Sequence, residues 1–255
     1  MKKCIAAILI IAAAAAWFLN RQPELCINVD GKILKLHESG GFILTSGGFS
    51  QQKLMDERLL SFKTYDIDGD SSQEIIALTS GNYEGYGKDV VFYDIYEESG
   101  NIIAEEMYRE DFSGLKPWKI DVCRLESDSQ ADILIGVQKD TTFYSQVRRR
   151  PFFYSWDGEK LVKKWLGSYF STWDLKDIAF GDFFGLGFDA AAVLEENENG
   201  QYRIGFYHFA GFGFENMNTS GIFNRVKSIK TVKQDGREYA ELDFYGLNKS
   251  ILLNH

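Results

Sequence analysis

Asp66-Ile67-Asp68-Gly69-Asp70-Ser71-Ser72-Gln73-Glu74-Ile75-Ile76 sets an oxygen donor at every second position and runs directly into an apolar segment. Alternate oxygens in a tight turn suit a hard cation, which takes six to eight of them. Carboxylates at Asp66, Asp68, Asp70 and Glu74 and a carbonyl at Ser72 would form such a set around calcium. In a helical calcium hand the last acid falls at position 12 of the loop. Here it falls at position 9, and Ile75-Ile76-Ala77-Leu78 follows it as a buried strand.

The same frame recurs along the chain. Glu74, Asp132, Asp189 and Glu241 each head an apolar run, at steps of 58, 57 and 52 residues. Trp118-Lys119-Ile120-Asp121 and Trp173-Asp174-Leu175-Lys176 open successive units 55 residues apart. A fixed period of this length marks a repeat architecture. Each unit holds four apolar segments: Phe62 to Asp66, Glu74 to Ser80, Asp89 to Tyr96 and Asn101 to Tyr108 in the first. The second runs through Trp118 to Leu125, Asp132 to Val137, Pro151 to Trp156 and Lys160 to Leu166, and the third from Trp173 to Asn218 in the same manner. Four antiparallel strands per unit make a propeller blade.

The fourth unit supplies only Val226 to Val232 and Glu238 to Tyr245 before the chain ends. Leu25 to Val29 and Lys32 to Leu36, joined by Asp30-Gly31, would complete it, because Asp-Gly between apolar runs is a strong hairpin signal. The expected fold is therefore all-β: a small β-propeller of four four-stranded antiparallel blades, with a ring closed by N- and C-terminal strands sharing one blade, which hides the sheet edges. Five blades is the alternative, with Gly40 to Asp56 as an insertion or a degenerate blade.

These residues resemble the FG-GAP/VCBS-type repeats of integrin α-chain propellers and of bacterial surface proteins. The resemblance is specific at Asp66 to Ile76, where Asp-x-Asp-Gly-Asp-x-x-x-Glu-apolar is met; Ser71 stands where a second glycine is usual. In the second unit the ligand positions hold Arg124, Glu126 and Asp128. The third, Gly181 to Gly187, has Phe184 and Leu186 in place of donors, and the fourth keeps Asp235-Gly236 beside Lys233 and Arg237. The resemblance implies one structural calcium ion, held by the first loop, and three loops that keep only the turn. A turn rich in Asp and Gly also forms without metal.

Lys2-Lys3 precede an apolar run from Cys4 to Leu19, followed by Asn20-Arg21-Gln22-Pro23. Residues 1–22 read as a signal peptide or signal-anchor helix and residues 23–255 as the propeller domain. Positive-inside logic sends that domain outward from the cell membrane. Cleavage after Ala14-Ala15-Ala16, releasing a secreted domain, is the alternative. A net charge of −9 argues against nucleic acid, which requires a basic surface. Arg148-Arg149-Arg150 reads as a solvated hairpin tip, and Cys26 and Cys123 as buried free thiols.

No catalytic constellation is evident: the histidines are His37, His208 and His255, and neither a nucleophile elbow nor a phosphate loop is present. The adjacent acids Glu105-Glu106 and Glu195-Glu196 point to opposite faces of a strand. Tyr83 and Tyr86, in the glycine-interrupted loop Ser80 to Gly87, are the candidate ligand-binding residues. Phe209, Phe212 and Phe214 are expected to pack between blades. The expected function is recognition of an extracellular protein or glycan by a membrane-tethered propeller. The alternatives are a propeller-type hydrolase or lyase acting on cell-wall or extracellular polysaccharide, and an accessory subunit without a small-molecule ligand.

Overall fold

The computed structural model describes residues 57–253 except 82–84, 100, 128–129, 142–143, 168–169 and 247–249, together with the backbone of four strands between residues 25 and 55. The N-terminal segment 1–22 lies outside the described residues. Among those described, the sole helical element is a 3-10 turn at Ser113–Leu115, and no helix is long and apolar enough to cross a membrane.

Strands β1 (Leu25–Val29), β2 (Lys32–Glu38), β3 (Phe42–Ser46) and β4 (Ser50–Met55) form a sheet of their own. The next sheet contains β5 (Leu59–Tyr65), β6 (Glu74–Ser80), β7 (Gly87–Glu98) and β8 (Asn101–Asp111). It is followed by β9 (Lys119–Cys123), β10 (Asp132–Thr141), β11 (Tyr144–Trp156) and β12 (Leu161–Leu166). The third unit holds β13 (Asp174–Gly181), β14 (Ala190–Glu196), β15 (Gln201–Phe209) and β16 (Phe214–Thr219), with the short β17 (Phe223–Asn224) also on β15. The last comprises β18 (Val226–Gln234), β19 (Arg237–Phe244) and β20 (Ser250–Leu253). All pairings are antiparallel, and the four sheets from β5 onward are arranged in a ring like the blades of a four-bladed propeller.

The packing explains why the second strand of each blade reads as an unbroken apolar run. Residues 74–79 of β6 and 190–195 of β14 are buried on both faces, because a blade is covered on each side by its neighbours. Alternate residues of one strand then feed two different cores. Ile133, Ile135 and Val137 of β10 pack with Ile76, Leu78 and Phe92 of the preceding blade, whereas Leu134 packs with Ile178 and Val193 of the following one. Likewise Ala191 and Val193 face one core, and Ala192 and Leu194 face the next, beside Ile229 and Leu242. Each buried Val, Leu, Ile or Phe among them contributes about 1.5–3 kcal/mol by leaving water. The outermost strand β16 is largely exposed and correspondingly polar, whereas β12 is only partly exposed and keeps Leu161, Val162, Trp165 and Leu166.

Polar links tie the innermost strands to one another. Ser61 Oγ donates to Ile120 O at 3.1 Å and accepts from Ile120 N at 3.2 Å. Lys119 Nζ lies 2.7 Å from Asp177 Oδ1, and Asp177 Oδ2 accepts the Ile229 amide at 3.2 Å. One Asp therefore braces three consecutive blades.

Three expectations are corrected. The chain ends do not share a blade among the described residues: β2 pairs β1 and β3 (Leu34↔Ser46), and β18 pairs β19 alone. A short connection closes a local hairpin at lower entropic cost than pairing with a strand near the other end of the chain. The third strand of the last blade comes instead from Ser250–Leu253, with Ala240 opposite Leu253. Secondly, Arg148-Arg149-Arg150 is no solvated tip but lies inside the 13-residue β11. Arg150 is fully buried, donating to Lys139 O and Gln146 O, and Arg149 stacks 4.4 Å from the Trp118 ring and donates to Lys176 O. Thirdly, Phe209 and Phe214 do pack with Phe153, Trp165 and Phe170, but Phe212 stands 94% exposed at the β15–β16 turn.

Candidate metal centre and its degenerate copies

Tyr65 pairs with Glu74, so residues 66–73 form the loop that closes the β5–β6 hairpin. The Asp66 carboxylate organises it: Oδ1 accepts Gly69 N at 2.8 Å and Oδ2 accepts Ser71 N at 3.1 Å. Asp68 Oδ1 takes Asp70 N at 3.1 Å, and Asp70 Oδ1 takes Ser72 N at 2.7 Å. Gly69 and Ser71 both sit at positive φ, +82° and +78°. Ser71 thus adopts the left-handed backbone that a glycine would reach without strain.

Glu74 is 1% exposed, and its Oε2 accepts Ile67 N at 2.7 Å. Burial pushes its pKa up to about 7, with the negative charges of Asp68 and Asp70 adding to the rise. Asp66, Asp68 and Glu74 each offer an oxygen within 4.8 Å of the others. Asp70 is outside that trio, and its described contact is the Ser72 amide. No ion pair forms to Glu74 among the described residues. The buried acid thus lacks a protein countercharge, and a cation held by Asp66, Asp68 and Glu74 would fit this donor set.

The equivalent acid one blade on is handled differently. Asp132 Oδ2 accepts Leu125 N at 3.2 Å, from seven residues upstream, as Glu74 does with Ile67. Yet Lys164 from β12 places its ammonium 2.9 Å from Asp132 Oδ1 and 2.6 Å from Glu126 Oε2. Burial opposes the Lys164 charge, but the hydrogen bonds to Glu126 and Asp132 overcome it and hold its pKa above the ordinary value. This blade carries its own cation, whereas among the described residues none pairs with Glu74.

In the third blade Asp182 performs the Asp66 task, with Oδ1 accepting Leu186 N at 2.6 Å and Oδ2 accepting Gly187 N at 2.9 Å. Asp189 reaches the preceding blade, its Oδ2 accepting Arg124 N at 2.8 Å while its own amide donates to Arg124 O at 2.6 Å. Burial raises the Asp189 pKa, and the Arg124 charge works against that rise. The turn therefore outlives the ligands, as the sequence implies. The Lys164 countercharge leaves no sequence signal, because it arrives from a strand 32 residues further on.

Tyr83 lies outside the described residues. Tyr86 is half-buried, in a segment pinned by Gly81 N to Tyr86 O at 2.9 Å and Gly87 N to Pro117 O at 2.6 Å. A Cβ on Gly81 would lie 2.9 Å from the carbonyl oxygens of Tyr86 and Gly87, so this closure requires glycine. Of the acid pair 195–196, Glu195 is buried against Tyr207 Oη (2.6 Å) and Arg203 Nε (2.7 Å). Glu196 turns away to Lys176, 2.7 Å distant. Cys123 is buried and free, and burial drives its thiol pKa well up.

No protein-family model matches the chain, and comparison with curated proteins returns no match.

Proposed function

We propose that the chain is an exported, membrane-tethered β-propeller of the FG-GAP/VCBS type that works as a binding module for an extracellular protein or glycan, with calcium bracing its first interstrand turn. The observation that carries the calcium reading is the contrast between Glu74, a buried carboxylate without a protein countercharge, and Asp132, its counterpart held by Lys164. Asp66, Asp68 and Glu74 would supply carboxylate oxygens, with Asp70 and the Ser72 carbonyl completing the set. Extracellular calcium modules work at about 10⁻⁴ to 10⁻³ M, a range met outside cells.

The ion would fix the hairpin from which β6 leads to the loop holding Tyr83 and Tyr86, the residues proposed for ligand contact. The apolar segment Cys4 to Leu19 behind Lys2-Lys3 is the basis for placing the domain outside the membrane. The test is calorimetric titration of calcium into the full chain in neutral detergent, followed by a glycan and protein binding screen with and without the ion. Saturable calcium binding and calcium-dependent capture of one ligand class support the reading. Equal behaviour in calcium and chelator reduces the loop to a turn, and turnover of a wall polysaccharide replaces the binding role with a hydrolytic or lytic one.

A further inference from the structure

The degenerate loops of the second, third and fourth units converge on one cavity of about 580 Å³ between the last two blades. Its size falls within the range of small-molecule sites. Arg124, Lys233 and Arg237 line it, and these are residues that stand at or beside the positions where a metal-binding turn would carry oxygen donors. Phe184 and Tyr239, both half-buried, supply apolar wall.

The formal charges around the cavity balance, but the two signs are committed differently. Asp182 spends one oxygen on each of two loop amides, Glu238 Oε2 accepts Asp182 N at 2.7 Å, and Asp189 Oδ2 accepts Arg124 N. The acids are thus tied to backbone donors in the wall. Among the described residues none of the three cations forms an ion pair, and the described side-chain bond of Arg124 is a long one, 3.3 Å from Nη2 to Gly187 O. A guanidinium carries five N–H donors, so most of that capacity is unspent. Arg124, Lys233 and Arg237, gathered on a chain of net charge −9, set N–H donors beside aromatic walls.

We propose that this cavity binds a small organic anion, a carboxylate or phosphate carried on a sugar-sized ring, with Arg124, Lys233 and Arg237 holding the acidic group and Phe184 and Tyr239 flanking the ring. Guanidinium groups match both oxyanions bidentately. The site is separate from the Asp66–Glu74 loop and stands whether or not that loop takes calcium.

The probes are glucuronate, glucose 6-phosphate and glucose, titrated into the full chain in detergent while the amide resonances of Arg124, Gly185 and Gly236 are followed. At least one anionic sugar should shift these amides saturably, at a concentration about tenfold or more below glucose, and the stronger of the two identifies carboxylate or phosphate. Lys233→Ala with Arg237→Ala should weaken that binding about tenfold or more. Both side chains are exposed, so the melting temperature should stay unchanged. If that pair disturbs folding, Arg237→Gln alone should still weaken anion binding severalfold. Absence of shifts with both anions, equal binding of glucose, or undiminished binding in the variant overturns the proposal.

Discussion

Loops 66–73 and 124–131 lie on adjacent blades, precede the same strand and end in a buried acid whose oxygen accepts an amide from seven residues upstream. They differ in what offsets the acid. In the second blade a lysine from the outer strand does so with a 2.9 Å contact. In the first, the acid is raised to a pKa of about 7 and is surrounded by further carboxylates. One fold thus gives a buried carboxylate two surroundings: an internal ammonium in the second blade, and in the first an acidic turn for which a cation from solution is proposed. A buried charge left unpaired is costly, so under the proposed calcium reading the first blade's stability would be conditional on the medium.

Removing the internal cation should give the largest effect. Lys164→Met strands Asp132 and Glu126, and breaking a buried pair in this way costs about 3 kcal/mol. Denaturant unfolding should show that loss, and calcium should fail to restore it because the cationic Arg124 stands where Asp66 supplies the first carboxylate of the other loop. Recovery of the variant by calcium would show that the two loops are interchangeable. Next in size, calcium at a hundredfold excess over Kd should stabilise the wild type by about 2.7 kcal/mol. Asp66→Asn with Asp68→Asn should erase that gain while leaving chelator-treated stability close to the wild type.

The pH dependence sharpens the same contrast. Glu74 without metal has a folded pKa of about 7 against an ordinary 4.5, so the folded state holds this proton more tightly than the unfolded state. Its contribution favours folding below about pH 4.5 and is lost as pH rises through about 7. Calcium requires the ionised form, so the metal-dependent gain in melting temperature should grow between about pH 5.5 and 8, and Glu74→Gln should flatten that profile. The smallest effect belongs to Ser71→Gly. Relief of the left-handed serine should stabilise the loop by up to about 1 kcal/mol, offset in part by the greater chain entropy of glycine.

Much of the fold was legible because its rules are local. Ile75-Ile76-Ala77-Leu78 and Ala190-Ala191-Ala192-Val193 lack alternation, which marks strands buried on both faces, and the burial of β6 and β14 agrees. Asp235-Gly236 marks the retained turn of the fourth unit, and both residues sit at positive φ, +51° and +79°, closing Gln234 onto Arg237. The failures are of another kind. Arg150 resembles its half-buried neighbours in sequence, yet the offset register where β10 meets β11 aims it at the Lys139 and Gln146 carbonyls. Phe212 has the same composition as Phe209 and Phe214 but occupies the turn, where neither blade can cover it.

The acidic loop divides along the same line. That Asp66, Asp68 and Glu74 would converge followed from their spacing and from Gly69, since a turn of fixed length brings its ends together. That this loop lacks a lysine and the next one has Lys164, and that Arg124, Lys233 and Arg237 meet around one cavity, was decided by tertiary structure alone. Strand and turn are set by backbone sterics and side-chain burial within a few residues, which a sequence displays directly. Which charges become neighbours depends on how separate sheets stack, and those contacts join residues tens to more than a hundred positions apart.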